Sequence, residues 1–144
     1  MVIDDDPFSL MLSKLKLRKV VNENNIIEFY DTDNALGYLE QHLGKESAMI
    51  PEIILLEVMM NDASGWDFIP QFGDLMAKNK GTEIQLVVLT SSQFFSDYRR
   101  ALKFESVKGF MMKPIRTDVL IDIYANAVEG NVYEGNALFQ SFIV

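Results

Sequence analysis

Pro51-Glu52-Ile53-Ile54-Leu55-Leu56-Glu57-Val58-Met59-Met60 holds an apolar run, Ile53 to Leu56, that ends on a carboxylate. Its consecutive apolar residues predict a strand buried on both faces, as at the centre of a parallel sheet covered by helices. Glu57 then stands at the C-terminal tip of that strand, where open α/β sheets bind their ligands. Three other strand-like runs also end in reactive groups. Met1–Ile3 leads into Asp4, Asp5 and Asp6, Leu86–Leu89 into Thr90, Ser91 and Ser92, and Val107–Met112 into Lys113-Pro114. If the four tips meet, they enclose carboxylates, hydroxyls and one lysine, a set suited to a hard cation and a phosphoryl group.

Helical patterns separate the strands. Pro7 suits the first turn of a helix, and Phe8, Met11, Leu12, Leu15 and Lys19 follow the helical period to about Val20, predicting an amphipathic helix. Asn22–Asn25 reads as a turn and Ile26–Tyr30 as a strand. Asp31, Thr32 and Asp33 are N-cap candidates for a helix with Ala35, Leu36, Leu39 and Leu43 on one face. After Glu57, a loop over Met59–Gly65 precedes a helix containing Trp66, Phe68, Ile69, Phe72, Leu75 and Met76, with Pro70 expected in its first turn. Ile84–Leu89 is a strand, and a helix starting near Ser96 carries Phe95, Tyr98, Ala101 and Leu102. The last strand, Val107–Met112, is followed by a helix capped by Thr117 or Asp118 and running through Val128. Five β/α units predict an α/β fold with right-handed crossovers. The expected architecture is the flavodoxin-like (βα)5 doubly wound parallel sheet, order 2-1-3-4-5. That order places the Asp cluster, Thr90 and Lys113 around Glu57.

The chain has 144 residues, 49% of them hydrophobic, which predicts one folded domain. No apolar run approaches the roughly 20 residues of a membrane span. The start has no basic n-region, so no signal peptide is expected. Cysteine is absent and the net charge is −8. Thiolate metal sites are therefore excluded, a cytoplasmic location is expected, and nucleic acid is disfavoured as a partner. We divide the chain into a domain over 1–129 and an apolar C-terminal tail over 130–144, whose role the residues do not specify.

Taken together, Ile3-Asp4-Asp5-Asp6-Pro7, Pro51 to Leu56, Gly65-Trp66, Val88-Leu89-Thr90-Ser91 and Gly109-Phe110-Met111-Met112-Lys113-Pro114 resemble the receiver domain of two-component response regulators (CheY-like) over residues 1 to about 128. In that family an acidic pair after the first strand holds Mg²⁺. An Asp at the tip of the third strand takes a phosphoryl group from a histidine kinase. A hydroxyl residue and a lysine bind the phosphoryl oxygens, and an aromatic residue on the fifth strand switches rotamer. The resemblance therefore implies a non-enzymatic phosphorelay module. Asp4 and Asp5 match the acidic pair, Thr90 and Lys113 the phosphoryl-binding groups, and Phe110 with Thr90 the switch. Gly65 matches the loop glycine.

The implied cofactor is weakly bound Mg²⁺ or Mn²⁺, held by Asp5 directly, Asp4 through water, Glu57 and the backbone carbonyl of Met59. Such a cation would relieve repulsion among Asp4, Asp5 and Glu57 and so raise the melting temperature. The implied partners are a histidine kinase or phosphotransfer protein and a downstream protein. The contact face would be that of the fourth helix, fifth strand and fifth helix, around Tyr98, Phe110 and the 130–144 tail. A homodimer is a further expectation, whereas nucleic acid and membrane are not expected.

The central departure is that the phosphoacceptor position holds Glu57 instead of Asp. Asn61 stands where the family usually has Pro, and Ser64 where it often has Asp; these are loop changes of modest weight. Glu57 leaves four readings open: a mimic of the phosphorylated state reaching Thr90 or Lys113, a phosphorylation-silent pseudo-receiver scaffold, a substitution introduced into an ordinary receiver, or a phosphorylated Glu. Each residue also has a plainer role. The Asp run can cap the first helix, with Asp6 the first candidate. Thr90 can cap the next helix, Lys113 can be a solvated surface lysine, and Phe110 can be core. Trp66 reads as packing and His42 as exposed. The alternative function is a small Mg²⁺-dependent phosphatase or phosphotransferase of the haloacid-dehalogenase type, which also places an Asp after its first strand. That class wants Asp-x-Asp-x-Thr or Val, and here Phe8 ends the motif.

Overall fold

The computed structural model describes residues 1–45, 50–61 and 65–128. The tail at 130–144 and Ser64 lie outside them. Five strands alternate with five helices: β1 Val2–Ile3, α1 Pro7–Leu17, β2 Glu28–Phe29, α2 Thr32–His42, β3 Ile53–Leu56, α3 Gly65–Lys78, β4 Gln85–Thr90, α4 Phe95–Ala101, β5 Val107–Met112 and α5 Thr117–Val128. All pairings are parallel and the sheet order is β2-β1-β3-β4-β5. This is the flavodoxin-like order expected from the strand and helix pattern.

Each strand sends alternate side chains to opposite faces, and both faces are packed. Ile54, Leu56, Leu86, Val88 and Phe110 meet Leu39, Phe68, Ile69 and Phe72 on one side. Leu55, Val87, Leu89 and Met111 meet Leu10, Leu17, Leu120 and Ile123 on the other. Full burial of one such aliphatic side chain contributes about 1.5–3 kcal/mol. These two layers therefore hold the strand tips rigidly enough to define a site.

Three local expectations are corrected. First, α1 ends at Leu17 and buries Leu10, Ser13 and Leu17. Phe8, Met11, Leu12 and Leu15, the predicted inner face, are 62%, 50%, 44% and 48% exposed. Two sets of residues satisfy the helical period, and apolar content favours the wrong one. The rotation follows the cap instead: the Asp6 side chain accepts the Phe8 N–H, and Ser9 Oγ donates to Asp4 at 2.6 Å. Ser9 is thereby turned toward the strand tips, and Leu10, Ser13 and Leu17 face inward.

Second, Pro70 is the sixth residue of α3 rather than part of its first turn. It removes the N–H that would otherwise bond four residues back. Phe68, Ile69 and Phe72 bury the adjoining face and hold the helix regardless. Third, His42 is half-buried, stacked on Tyr38 with ring centroids 4.0 Å apart, and its Nδ1 lies 2.7 Å from the Tyr38 carbonyl. Trp66 packs as expected, with the Arg100 guanidinium 4.4 Å over its ring.

Candidate functional site

The tips of β1, β3, β4 and β5 converge as the topology requires. Asp4 and Asp5 follow β1 directly, because Ile3 is locked in register between Phe29 and Leu56. Glu57 follows β3 and is itself tied down by its N–H donating to the Ile3 carbonyl at 2.9 Å. Thr90 closes β4. Lys113 follows β5, with its N–H on the Thr90 carbonyl at 2.8 Å. The Lys113-Pro114 bond is cis.

Glu57 is the hub. It is 3% exposed, and its carboxylate accepts four contacts. Oε1 takes the Thr90 hydroxyl at 2.7 Å and the Met59 N–H at 2.9 Å. Oε2 takes Lys113 Nζ at 2.8 Å and the Ser91 N–H at 3.2 Å. A buried carboxylate is tolerable only when paired and hydrogen-bonded, and here both oxygens are engaged.

Asp4 is equally buried. Its Oδ1 accepts the Asp6 N–H at 3.1 Å, and its Oδ2 receives Ser9 Oγ and Lys113 Nζ, each at 2.6 Å. Lys113 thus bridges the tips of β1 and β3. Burial pulls the Lys113 pKa down, but hydrogen bonds to Asp4 and Glu57, with their charges, outweigh it and leave the pKa above the ordinary lysine value. Asp5 turns outward, where its Oδ2 accepts the Asn61 N–H at 2.7 Å and Asn61 Nδ2 at 2.9 Å.

Gly65 makes this packing possible. A Cβ there would lie 2.3 Å from the Glu57 carbonyl oxygen and 2.7 Å from Val58 Cα. Phe110 faces inward, buried, with Tyr98 edge-on at a centroid distance of 5.8 Å.

Asp4, Glu57, Thr90 and Lys113 therefore form one cluster, with Asp5 at its rim. Thr90 is not the helix cap: its hydroxyl donates to Glu57 and accepts the Ser92 N–H at 3.1 Å, while α4 is N-capped by Phe94 with no side-chain cap bond, and Ser92 Oγ accepts the Phe94 N–H at 3.2 Å in the turn before it. Met59 meets the cluster through its N–H, while its side chain is exposed. Among the described residues, no group of three or more His, Cys, Asp or Glu is arranged to hold a metal ion. Sequence reasoning missed Ser9 and the Ser91 and Met59 N–H groups. Backbone donors leave no residue-type signal, whereas Ser9, inside the first turn after the acidic run, offered a small one.

The haloacid-dehalogenase alternative finds no support. The second Asp of its motif would be Asp6, which is exposed and caps α1.

No protein-family model matches the chain, and no curated protein matches it by sequence. Solved structures do. A two-component response regulator from Cytophaga hutchinsonii is similar with a TM-score of 0.74 at 21% identity, covering 89% of this chain and 94% of that one. A response regulator receiver domain protein from Clostridium thermocellum has a TM-score of 0.70 at 19% identity, covering 90% and 92%. A response regulator receiver protein from Dyadobacter fermentans has a TM-score of 0.68 at 23% identity, covering 88% and 94%. At these identities the likeness establishes the fold: the chain has the CheY-type architecture of response-regulator receiver domains.

Proposed function

We propose that this chain is a receiver module of two-component signalling in which the Glu57 carboxylate stands where a phosphoryl group would otherwise be received. The observation that carries this reading is that one side chain takes the Thr90 hydroxyl, the Lys113 ammonium and the Ser91 N–H together. Those donors suit a tetrahedral anion, and the extra methylene of Glu relative to Asp lets a carboxylate reach them. With both oxygens engaged, Glu57 has no free lone pair aimed at an incoming phosphorus, and in-line transfer is sensitive to misplacement of about 1 Å. The module is then silent to phosphorylation and held in the state that phosphorylation would favour, acting by protein contact and not by catalysis.

Thr90 and Phe110 carry the readout. Thr90 is drawn onto Glu57, and Phe110 sits inside with Tyr98 against its edge. A switch requires different interactions in its two states, and the Thr90–Glu57 bond supplies such a difference. α4, β5 and α5 expose Phe95, Met112 and Ile121 beside it, apolar groups that suit a downstream protein or a second copy of the chain. Of the exposed apolar residues of α1, Leu12 lines a groove together with Ser9, Lys16, Lys113 and Pro114. Because Lys113 lines that groove, we assign it to a histidine kinase or phosphotransfer protein bound by contact alone, without phosphoryl transfer. Among the described residues no helix is long and apolar enough to cross a membrane, and a cytoplasmic location belongs to the proposal.

Intact mass after incubation with Mg²⁺ and a small acyl phosphate tests the reading. A phosphoryl adduct on Glu57→Asp but not on the parent is expected. An adduct on Glu57 itself would refute it, and labelling of neither would move the chain to a scaffold with no receiver chemistry.

A further inference from the structure

A receiver pocket of the kind the sequence resembles takes a divalent cation, whose oxygen ligands here would be Asp4, Asp5, Glu57 and the Met59 carbonyl. The structure commits both oxygens of Asp4, both of Glu57 and one of Asp5 to hydrogen-bond donors. Asp4 Oδ2 holds both Ser9 Oγ and Lys113 Nζ, and Asp4 Oδ1 holds the Asp6 N–H. Glu57 spends both oxygens on Thr90, Met59, Lys113 and Ser91. Asp5 Oδ2 is gripped twice by Asn61. Mg²⁺ demands near-octahedral oxygen ligation and dehydrates reluctantly, so it gains little from oxygens that must first release N–H and O–H groups. It would also sit beside the Lys113 ammonium. The residues present do not fit a resident divalent ion.

The two departures from the family pattern act in the same direction. Glu57 is long enough to share Lys113 with Asp4. Asn61 brings two donors, one of them a backbone N–H that proline lacks, and both point at Asp5.

We propose that the pocket is a self-bridged lock that needs no divalent cation: Lys113 joins the tips of β1 and β3, and Asn61 ties Asp5 to the loop after β3. The inference rests on reading Glu57 as the phosphoryl stand-in, and it makes that state independent of cellular Mg²⁺. Asn61 is a positioning residue, acting through Asp5.

The test is thermal unfolding of the whole chain with Mn²⁺ against NaCl of equal ionic strength, together with bound Mn²⁺ measured by electron paramagnetic resonance. For the parent, the same melting temperature in both salts and no bound Mn²⁺ are expected. Glu57→Asp combined with Asn61→Pro is expected to bind Mn²⁺ and melt higher with it, by an increment that Asp5→Asn abolishes. A Mn²⁺-dependent rise in the parent that Asp5→Asn removes would overturn the proposal. So would a folded double variant that still ignores Mn²⁺, since something other than Glu57 and Asn61 would then exclude the ion. If the double variant fails to fold, Glu57→Asp alone serves in its place. Failure here is distinct from failure of the stand-in reading, which the phosphodonor experiment judges on the parent's own Glu57.

Discussion

Replacing Lys113 by Met keeps most of the side chain's length and apolar stem while deleting the one charge that joins Asp4 to Glu57. Lys113 Nζ lies 2.6 Å from Asp4 Oδ2 and 2.8 Å from Glu57 Oε2. Hydrogen bonds to charged groups contribute about 1.5–3 kcal/mol each, and breaking a buried ion pair by removing one partner costs about 3–5 kcal/mol. Two carboxylates then share a buried site with no cation between them. The expected loss is therefore about 3–5 kcal/mol, which is a large part of a typical domain stability of about 5–15 kcal/mol.

The pH dependence gives a second signature. Because the folded Lys113 pKa lies above the ordinary 10.5, its contribution is fully present below that value. It is lost as pH rises through the higher folded value. The difference between parent and variant should thus hold across neutral and mildly alkaline pH and fade only in strong alkali. Urea unfolding followed by far-UV circular dichroism and by the single tryptophan, Trp66, measures it, with the dependence on urea unchanged between the two proteins. A Lys113→Met chain as stable as the parent at neutral pH, or a deficit that fades already below the ordinary lysine range, would refute the bridging role.

Two further predictions test the frame around the pocket. Gly65→Ala forces a Cβ into the Glu57 carbonyl and Val58 Cα; it should cost about 1–3 kcal/mol as overpacking and speed amide exchange at Met59, which calorimetry and exchange can check. Leu10→Ala should cost about 2–5 kcal/mol as a core truncation, whereas Leu15→Gln should stay within about 0.5 kcal/mol as a surface change. Reversal of that order in urea titrations would restore the α1 face that periodicity suggests.

Much of the architecture is legible because strand tips and helix caps carry specific residue types. Ile53–Leu56 and Val107–Met112 are strands over the predicted residues, since apolar runs bounded by Glu57 and by Pro114 have few other solutions. The members of the cluster were legible for the same reason: each ends or directly follows a strand, and five β/α units fit the sheet order 2-1-3-4-5 that brings those tips together. The face of α1 was not. It is apolar on two sides, and what selects between them is Ser9 turning to Asp4, a tertiary contact with no periodic signature. Asn61 reads as a loop substitution of small consequence until its two donors are seen on Asp5. The engagement of both Glu57 oxygens rests partly on the Met59 and Ser91 backbone N–H groups, which any residue but proline could supply.

In the proposed reading, Glu57 does structurally what a phosphoryl group on Asp would do. Amide hydrogen exchange across α4, β5 and α5 tests it most directly, comparing the parent, Glu57→Asp, and Glu57→Asp after treatment with Mg²⁺ and an acyl phosphate. The parent is predicted to match the phosphorylated Asp form, with Thr90, Tyr98 and Phe110 protected to the same degree and the unmodified Asp form exchanging faster there. A parent that instead matches unmodified Glu57→Asp would contradict the claim, because the carboxylate would then occupy the pocket without holding the switch.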